Sequence, residues 1–328
     1  MQRVAVICLA FQLLAIAGGA HADEVDDYIR AEMKERQIPG ADLAIVQDGR
    51  VVKRAEFGLA NVELNVRVNT NTVFEIGSLT KQLTAAGILL LSEEGKLDIN
   101  APIHQYLKGT PGAWRDITVR HLLTHTSGIK SYTGLDGFEL RRHLTQAQFI
   151  AAIGALPLEF QPGDSWKYSN TGYSLLGYII ENITGKTYWN FMSARIFGPL
   201  QMSSTTNRLP ALVLPNRASG YEHTEHVLIN RDYDLTDVFS AGSVVSTVGD
   251  LLRWNASLDG GTILSPESRK EMWTPAKLND GKPTRYGFGW RIDTVEGHAN
   301  IGHGGSTSGF SATLQRFPED RLAIIILT

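Results

Sequence analysis

The spacing of apolar and polar residues differs between the two ends of the chain and its middle. Near the N-terminus it predicts a polar amphipathic helix over 23–37 and strands over 41–46 and 51–58. Asp48-Gly49 lies between these two strands, which is a strong signal for a β-hairpin. Towards the C-terminus the period becomes two, which predicts four strands, over 287–293, 299–302, 309–317 and 322–327, with turns at 296–297, 304–305 and 318–320.

The middle of the chain has few strand patterns. A long apolar helix is predicted to begin near Ser78 and to end at Glu94-Gly95, where glycine can adopt a left-handed cap. Beyond it, short helices alternate with long loops, and helical spacing predicts helices over 119–123, 146–155, 173–184, 188–196 and 247–258.

Strands at both ends with helices between them imply that the N-terminal hairpin and the C-terminal strands share one antiparallel sheet. We therefore predict an α/β fold of the α+β kind. Residues 23–96 and 280–328 form a sheet lobe flanked by helices, and 97–279 form an inserted, mostly helical lobe. An active site is expected in the crevice between the lobes. The sequence stops at Thr328, directly after an apolar strand, so one face of the sheet is expected to be poorly covered. A further C-terminal helix would cover such a face.

Residues 1–22 have the features of a secretory signal peptide. A basic start at Arg3 precedes an apolar run over 4–17, and an Ala-x-Ala pattern ends at Ala22. We predict cleavage after Ala22 and a periplasmic or secreted protein. The single cysteine, Cys8, lies within this segment, so the mature protein would have neither disulfide bonds nor thiol chemistry.

Composition excludes several classes of function. The chain has 31 Lys and Arg against 34 Asp and Glu, a formal net charge of −3, and no basic cluster suited to nucleic acid. No segment after the signal peptide approaches the ~20 apolar residues of a membrane span, so no stable membrane anchor is expected. The predicted partner is a small-molecule or peptide substrate, and the oligomeric state stays open.

No metal or other cofactor is predicted. His121 and His125 are four residues apart, as zinc ligands on a helix can be. However, Leu122 stands where the glutamate of such a motif is expected, and 126–128 ends the helix. The pair therefore does not indicate a metal site.

The strongest chemical pattern is Ser78-Leu79-Thr80-Lys81. Lys81 is the only charged residue between Ile76 and Ser92, so burial should lower its pKa and suit it to accept the proton of a serine hydroxyl. Ser78, in the first turn, could also offer a backbone N–H to an oxyanion. The alternative is a helix-capping serine with a lysine whose amine reaches solvent. A second Ser-x-x-Lys, at Ser127 and Lys130, is followed by turn residues and is interpreted as chance.

Two other stretches carry candidate chemistry. In the loop before the helix at 173–184, Tyr168 could act as acid or base beside a cation such as Lys81, and Asn170 could bind a substrate carbonyl. The alternative for Tyr168 is an aromatic anchor beneath a loop. The glycine-rich stretch 301–309 contains His303, and its glycines, Gly305 among them, would let the N–H of Ser306 approach a substrate oxygen. The alternative there is a plain hairpin turn.

Three motifs, Ser78-Leu79-Thr80-Lys81, Tyr168-Ser169-Asn170 and His303-Gly304-Gly305, stand in the order found in the serine β-lactamase and penicillin-binding protein superfamily. Nearly the whole mature chain resembles its class C-like branch of β-lactamases, D-alanyl-D-alanine carboxypeptidases, D-aminopeptidases and esterases. The stretches 121–128 and 245–247 are also similar to that branch. Lys-Thr-Gly is expected at the third motif of a β-lactamase. The His-Gly-Gly found here is similar to the peptidases and esterases of the branch.

The resemblance implies a role for each candidate residue. Ser78 would be acylated, Lys81 and Tyr168 would transfer protons, and the N–H groups of Ser78 and Ser306 would form an oxyanion hole. Asn170 would position the substrate amide or water. His303 would face the substrate carboxylate. A cationic imidazole would attract that group and a neutral one could donate a single hydrogen bond, and the unperturbed pKa of about 6.5 lies within the working pH range.

The resulting hypothesis is a serine hydrolase that forms an acyl-enzyme at Ser78 and acts on D-amino-acid peptides or β-lactam-like amides. One alternative is an esterase of the same family. A second is a catalytically silent penicillin-binding module that keeps the fold. No Gly-x-Ser-x-Gly elbow occurs in the chain, which disfavours an α/β-hydrolase.

Overall fold

The computed structural model describes residues 22–135, 143–224, 227–231 and 233–328, so the predicted signal peptide lies almost wholly outside the described residues. Within these ranges, no helix combines the length and the apolar character needed to cross a membrane.

The α-helices are α1 (Ala22–Arg36), α2 (Thr80–Glu93), α3 (Val119–Leu123), α4 (Gln146–Gly154), α5 (Asn170–Thr184), α6 (Tyr188–Met192), α7 (Val248–Gly260) and α8 (Pro266–Met272). The strands are β1 (Gly40–Gln47), β2 (Arg50–Asn61), β3 (Val66–Arg67), β4 (Phe74–Glu75), β5 (Thr206–Asn207), β6 (Tyr221–His223), β7 (Leu228–Asn230), β8 (Val244–Ser246), β9 (Arg291–Val295), β10 (His298–Thr307), β11 (Phe310–Phe317) and β12 (Leu322–Leu327).

Strands from both ends of the chain form one antiparallel sheet of seven strands, in the order β3-β2-β1-β12-β11-β10-β9. β1 pairs with β12, so that Leu43 lies opposite Ile326. The β1–β2 hairpin turns at Asp48 and Gly49, whose positive φ angles of 53° and 73° suit a tight turn of the kind that Asp-Gly favours. The predicted fold class and the predicted sharing of one sheet are confirmed.

The helix α1 covers one face of the sheet. Val25 and Ile29 of α1 pack with apolar side chains of the central strands, and Ile324 and Ile326 of β12 are buried there. The expectation of a poorly covered sheet face is therefore wrong, because the apolar face of α1 lies on it.

The helix α2 lies in the core of the molecule, where it packs against α5 and α8, while the turn before it packs on β10. Every residue from Thr80 to Leu91 is buried, which explains the nearly uncharged sequence of this helix. Gly87 lets α5 and α6 approach closely, since a β-carbon there would lie 3.2 Å from side-chain atoms of Ile180 and Phe191. The start of α2 is thus held rigidly between sheet and helices.

The C-terminal strands differ from the predicted ones at two places. The turn predicted at 304–305 is wrong, because β10 continues to Thr307 and the chain turns at Ser308 and Gly309, where Gly309 has φ of 88°. The strand predicted from Gly287 begins only at Arg291, since the N–H of Gly287 closes a turn onto the carbonyl of Trp290. Glycine permits close contact between backbones as well as turns, so its presence alone did not locate the turn.

Candidate active site

Ser78 lies in a short 3₁₀ turn, Gly77–Leu79, that leads directly into α2. The chain reaches this turn through β4, which pairs with β8, and the N–H of Ile76 donates to the carbonyl of Val244 at 3.1 Å. Gly77 has φ of 50°, a conformation that glycine tolerates best. Gly77 and Leu79 are buried, whereas Ser78 between them is half-buried. The serine is therefore accessible at the N-terminal end of a buried helix.

Lys81 places its amine beside this serine. Its side chain is completely buried, and Nζ lies 3.1 Å from Ser78 Oγ, 2.7 Å from Asn170 Oδ1 and 2.7 Å from the carbonyl oxygen of Ala241. Nζ also lies over the ring of Tyr168, 4.7 Å from its centroid. Burial lowers the pKa of Lys81 well below its ordinary value. A neutral amine so placed can accept the proton of Ser78.

Asn170 begins α5 three residues earlier than predicted, because Ser169 caps the helix by accepting a hydrogen bond from the N–H of Gly172. The Asn170 carbonyl oxygen accepts from Lys81, and its Nδ2 donates to Thr133 Oγ1 at 3.1 Å. In this structure Asn170 therefore orients the lysine amine. Its contact with substrate stays a prediction.

The glycine-rich part of β10 packs directly on the turn that carries Ser78. A β-carbon on Gly305 would lie 1.9 Å from the carbonyl oxygen of Ile76 and 3.0 Å from the nitrogen of Ser78. A β-carbon on Gly77 would lie 2.7 Å from the nitrogen of Ser306. Only glycine allows two backbones to approach this closely. The structure thus brings the backbone nitrogens of Ser78 and Ser306, predicted as oxyanion donors, onto two segments in contact.

His303 is a buried side chain. It is 3% exposed, with Nδ1 2.6 Å from the carbonyl oxygen of Gly304 and Nε2 2.9 Å from the hydroxyl of Tyr286. A carbonyl oxygen only accepts, so Nδ1 carries the hydrogen, and in the neutral imidazole Nε2 then accepts from the hydroxyl of Tyr286. Burial, and then the positive charge of Lys81, lower the pKa of His303 to about 3. Burial therefore favours the neutral form of the imidazole over the cationic one, and a contact of His303 with a substrate carboxylate stays a prediction.

Several aromatic side chains surround Tyr168, among them Tyr286, which the sequence patterns did not indicate. His125 is buried, its ring lies 4.3 Å from that of Tyr168, and its Nδ1 accepts from the N–H of Ser169 at 3.1 Å. The rings of Tyr286 and His303 lie 6.3 and 6.0 Å from that of Tyr168. Burial also lowers the pKa of His125 well below 6.5. The family-like stretch 121–128 was the available signal for His125, which had been considered only as a metal ligand.

Among the residues that the structure describes, no group of three or more His, Cys, Asp or Glu side chains is placed to hold a metal ion. His121 and His125 each use Nδ1 within the protein instead. His121 accepts from the N–H of Thr118 in a helix capping box, and His125 accepts from Ser169.

Comparison with known proteins identifies the family of this chain. The model of the family described as Beta-lactamase matches residues 25–328. Penicillin-binding protein 4* of Bacillus subtilis is 31% identical over 314 residues, covering 90% of this chain and 69% of that protein. The chain spans 62% to 69% of the length of curated relatives that it matches.

Two solved structures have a similar fold. The octameric penicillin-binding protein homologue from Pyrococcus abyssi is 30% identical with a TM-score of 0.80, covering 93% of this chain and 72% of that one. A D-stereospecific amidohydrolase from Streptomyces sp. is 28% identical with a TM-score of 0.77, covering 90% of each chain. The family model, the relatives and the shared fold agree with the three motifs, and the chain belongs to the Beta-lactamase family within the serine β-lactamase and penicillin-binding protein superfamily.

Proposed function

We propose that this protein is a serine hydrolase that forms an acyl-enzyme at Ser78 and acts on D-amino-acid peptides or β-lactam-like amides. The observation that carries the proposal is the buried amine of Lys81, 3.1 Å from Ser78 Oγ at the start of α2. Burial of a lysine costs stability, which suggests that Lys81 has a function, and proton transfer from a serine is the function that this contact supports.

The proposed mechanism has two stages. Neutral Lys81 accepts the hydroxyl proton as Ser78 Oγ attacks the substrate carbonyl, and the oxyanion is stabilised by the N–H groups of Ser78 and Ser306. The proton then passes to the leaving amine, directly from Lys81 or through Tyr168, and the C–N bond breaks to leave an ester on Ser78. Water attacks that ester with the same groups acting in reverse, which releases the acid and restores the serine.

The substrate class is supported by two similarities. One relative is named as a penicillin-binding protein and one neighbour as a D-stereospecific amidohydrolase, and both are similar to this chain over at least 90% of its length. Amides of D-amino acids, including the β-lactam ring as a strained amide, are accordingly the first substrates to test.

An esterase is the second candidate, and a specific observation favours it. Because His303 is neutral with both nitrogens bonded within the protein, it supplies no positive charge for a substrate carboxylate. The ratio of kcat/KM for a matched acidic and neutral substrate should then show no titration attributable to His303 between pH 5 and 8. A penicillin-binding module without turnover is disfavoured, since the Ser78–Lys81 contact is intact.

Covalent labelling tests the proposal. The protein is incubated with a fluorescent penicillin, D-phenylalanine p-nitroanilide and a p-nitrophenyl ester, and any adduct is located by peptide mass spectrometry. We expect an adduct on Ser78, and turnover of at least one of the two chromogenic substrates. A label on another residue, or no reaction with any of the three probes, would contradict the proposal.

The predicted location outside the cytoplasm belongs to the same proposal. A chain processed after Ala22 would start at Asp23, and N-terminal sequencing of protein recovered from the periplasm or culture medium measures this directly. A mature N-terminus that retains the apolar run over 4–17 would contradict it.

A further inference from the structure

Glu75, Arg208 and Thr307 join the two backbone segments that carry the predicted oxyanion donors. Thr307 Oγ1 donates to Glu75 Oε2 at 2.7 Å, and Arg208 Nε donates to Glu75 Oε1 at 3.2 Å. The Glu75 and Arg208 residues are 3% and 5% exposed. A carboxylate buried in this way needs both charge and hydrogen-bond partners, so its position is closely specified.

The placement of these residues along the chain gives the contact its significance. Glu75 ends β4 and stands three residues before Ser78, whereas Thr307 directly follows Ser306 at the end of β10. One carboxylate therefore links the approach to the nucleophile with the strand that carries the second N–H group. Glu75 lies outside all three family-like motifs, and none of the mechanism's proton-transfer steps uses it.

Arg208 attaches this link to a third segment. Its backbone N–H donates to the carbonyl of Ser243 at 2.8 Å, directly beyond the pairing of β5 with β8. The segment that leads into β8 also supplies the carbonyl of Ala241, which accepts a hydrogen bond from Lys81. The same stretch of backbone thus supports the lysine on one side and the arginine on the other.

We propose that Glu75, Arg208 and Thr307 act as a clamp that sets the separation between the backbone nitrogens of Ser78 and Ser306. This inference rests on the proposed function, because the separation matters for catalysis only if an oxyanion forms at Ser78. The clamp residues position the site and do not touch the reacting atoms. Donors of an oxyanion hole must be held within about 0.5 Å of their productive geometry, which a hydrogen bond to a buried ion pair achieves better than strand pairing alone.

Thr307→Val tests the clamp with the least disturbance, since it removes the hydroxyl and leaves the buried Glu75–Arg208 pair in place. Thr307→Ser is the matched control that keeps the hydroxyl. With p-nitrophenyl acetate, we expect Thr307→Val to lower kcat about 10- to 100-fold with KM changed less than about threefold. The inhibition constant of phenylboronic acid, which forms a tetrahedral adduct with a serine, should rise by a similar factor. Thr307→Ser should stay within about threefold of the wild type.

A purely structural role predicts a different pattern. Thr307→Val would then lower the melting temperature but leave kcat and phenylboronic acid inhibition unchanged per correctly folded molecule, and that result would overturn the clamp. Crystal structures of the wild type and Thr307→Val give a second readout, the distance between the nitrogens of Ser78 and Ser306. We expect an increase of about 0.5 Å or more, and an unchanged distance overturns the clamp. Failure of the wild type to react with any probe would instead refute the proposed function, while the crystallographic distance still decides the clamp.

Discussion

The chain contains the sequence Ser-x-x-Lys twice, and the two copies have different structures. At Ser78 the four residues follow a 3₁₀ turn into α2, which puts the Lys81 amine 3.1 Å from the serine oxygen. At Ser127 the chain forms a turn instead, in which Ser127 Oγ accepts from the N–H of Ile129 at 3.3 Å and Lys130 is half-buried. The helical turn, and not the spacing, brings hydroxyl and amine together.

The backbone that packs against the glycine beside each serine also differs. A β-carbon on Gly77, before Ser78, would lie 2.7 Å from the nitrogen of Ser306, which is a donor group. A β-carbon on Gly128, after Ser127, would lie 2.0 Å from the carbonyl oxygen of Phe160, which is an acceptor and cannot stabilise an oxyanion. A catalytic serine needs both a base and a facing donor, and only the first copy has both.

Removing each serine should show the largest contrast. Ser78→Ala should lower kcat/KM for the best chromogenic substrate by roughly 10⁴- to 10⁶-fold, since the nucleophile is lost. Ser127→Ala should change it by less than about threefold, because that hydroxyl only supports a turn. Steady-state kinetics of the two variants measure this. Comparable losses in both variants would mean that the second copy takes part in the chemistry.

The sequence predicted the parts of this contrast that depend on local pattern. The uncharged run after Ser78 required a buried helix, and burial of that helix fixed the environment of Lys81. Turn residues after Ser127 predicted that no helix would follow. The shared sheet was also within reach, because strands at the two ends of a chain have few other partners than each other.

Features that depend on contacts between distant segments were not predictable. Nothing near His303 in the sequence shows that Tyr286 binds its Nε2 or that the ring is buried, so the sequence alone left the charge of His303 open. The same holds for the contact between the rings of His125 and Tyr168 and for the hydrogen bond between Glu75 and Thr307. Such tertiary contacts leave no period or spacing in the sequence.

Removing each lysine gives the next largest contrast. Lys81→Met should lower kcat by roughly 10²- to 10⁴-fold, as expected for loss of a general base, and Tyr168→Phe is expected to be of similar size. Because the two groups lie 4.7 Å apart, as Nζ and ring centroid, the double variant should lose little more than either single one. Lys130→Met is the matched control and should remain within about threefold of the wild type. Losses that add in free energy in the double variant would show that Lys81 and Tyr168 act independently.

Adjacent glycines in β10 test the facing donor. Gly305→Ala should lower kcat by roughly 10²- to 10³-fold, because its methyl group would push the backbone of Ser306 away from Ser78. Gly304→Ala is the control, because the nearest atom to a β-carbon there, the carbonyl oxygen of Ala312, lies 3.7 Å away, which is an ordinary van der Waals distance. Enzyme kinetics and a thermal melt for each variant separate misplacement of the donor from loss of folded protein. Equal kcat values for the two variants would show that the close packing of β10 on the turn of Ser78 does not affect catalysis.

The smallest effect concerns two buried histidines, His303, whose ring lies 6.0 Å from that of Tyr168, and His125, which stands two residues before Ser127. The folded-state pKa of His303 is lowered from 6.5 to about 3, so between these values the unfolded chain binds more protons than the folded one. The free energy of unfolding therefore rises with pH across this window, and His303 alone should account for a loss of about 2 kcal/mol on going from pH 7 to pH 5.

His303→Gln, which can still accept the hydrogen bond of Tyr286, should remove that part of the loss, and His104→Gln, at an exposed position, should leave it intact. Urea unfolding at pH 7, 6 and 5 measures the slopes, to which His125 contributes in the same direction. If wild type and His303→Gln lose equal stability on acidification, His303 is not held neutral by the fold, and a charged imidazole at the site would again be tenable.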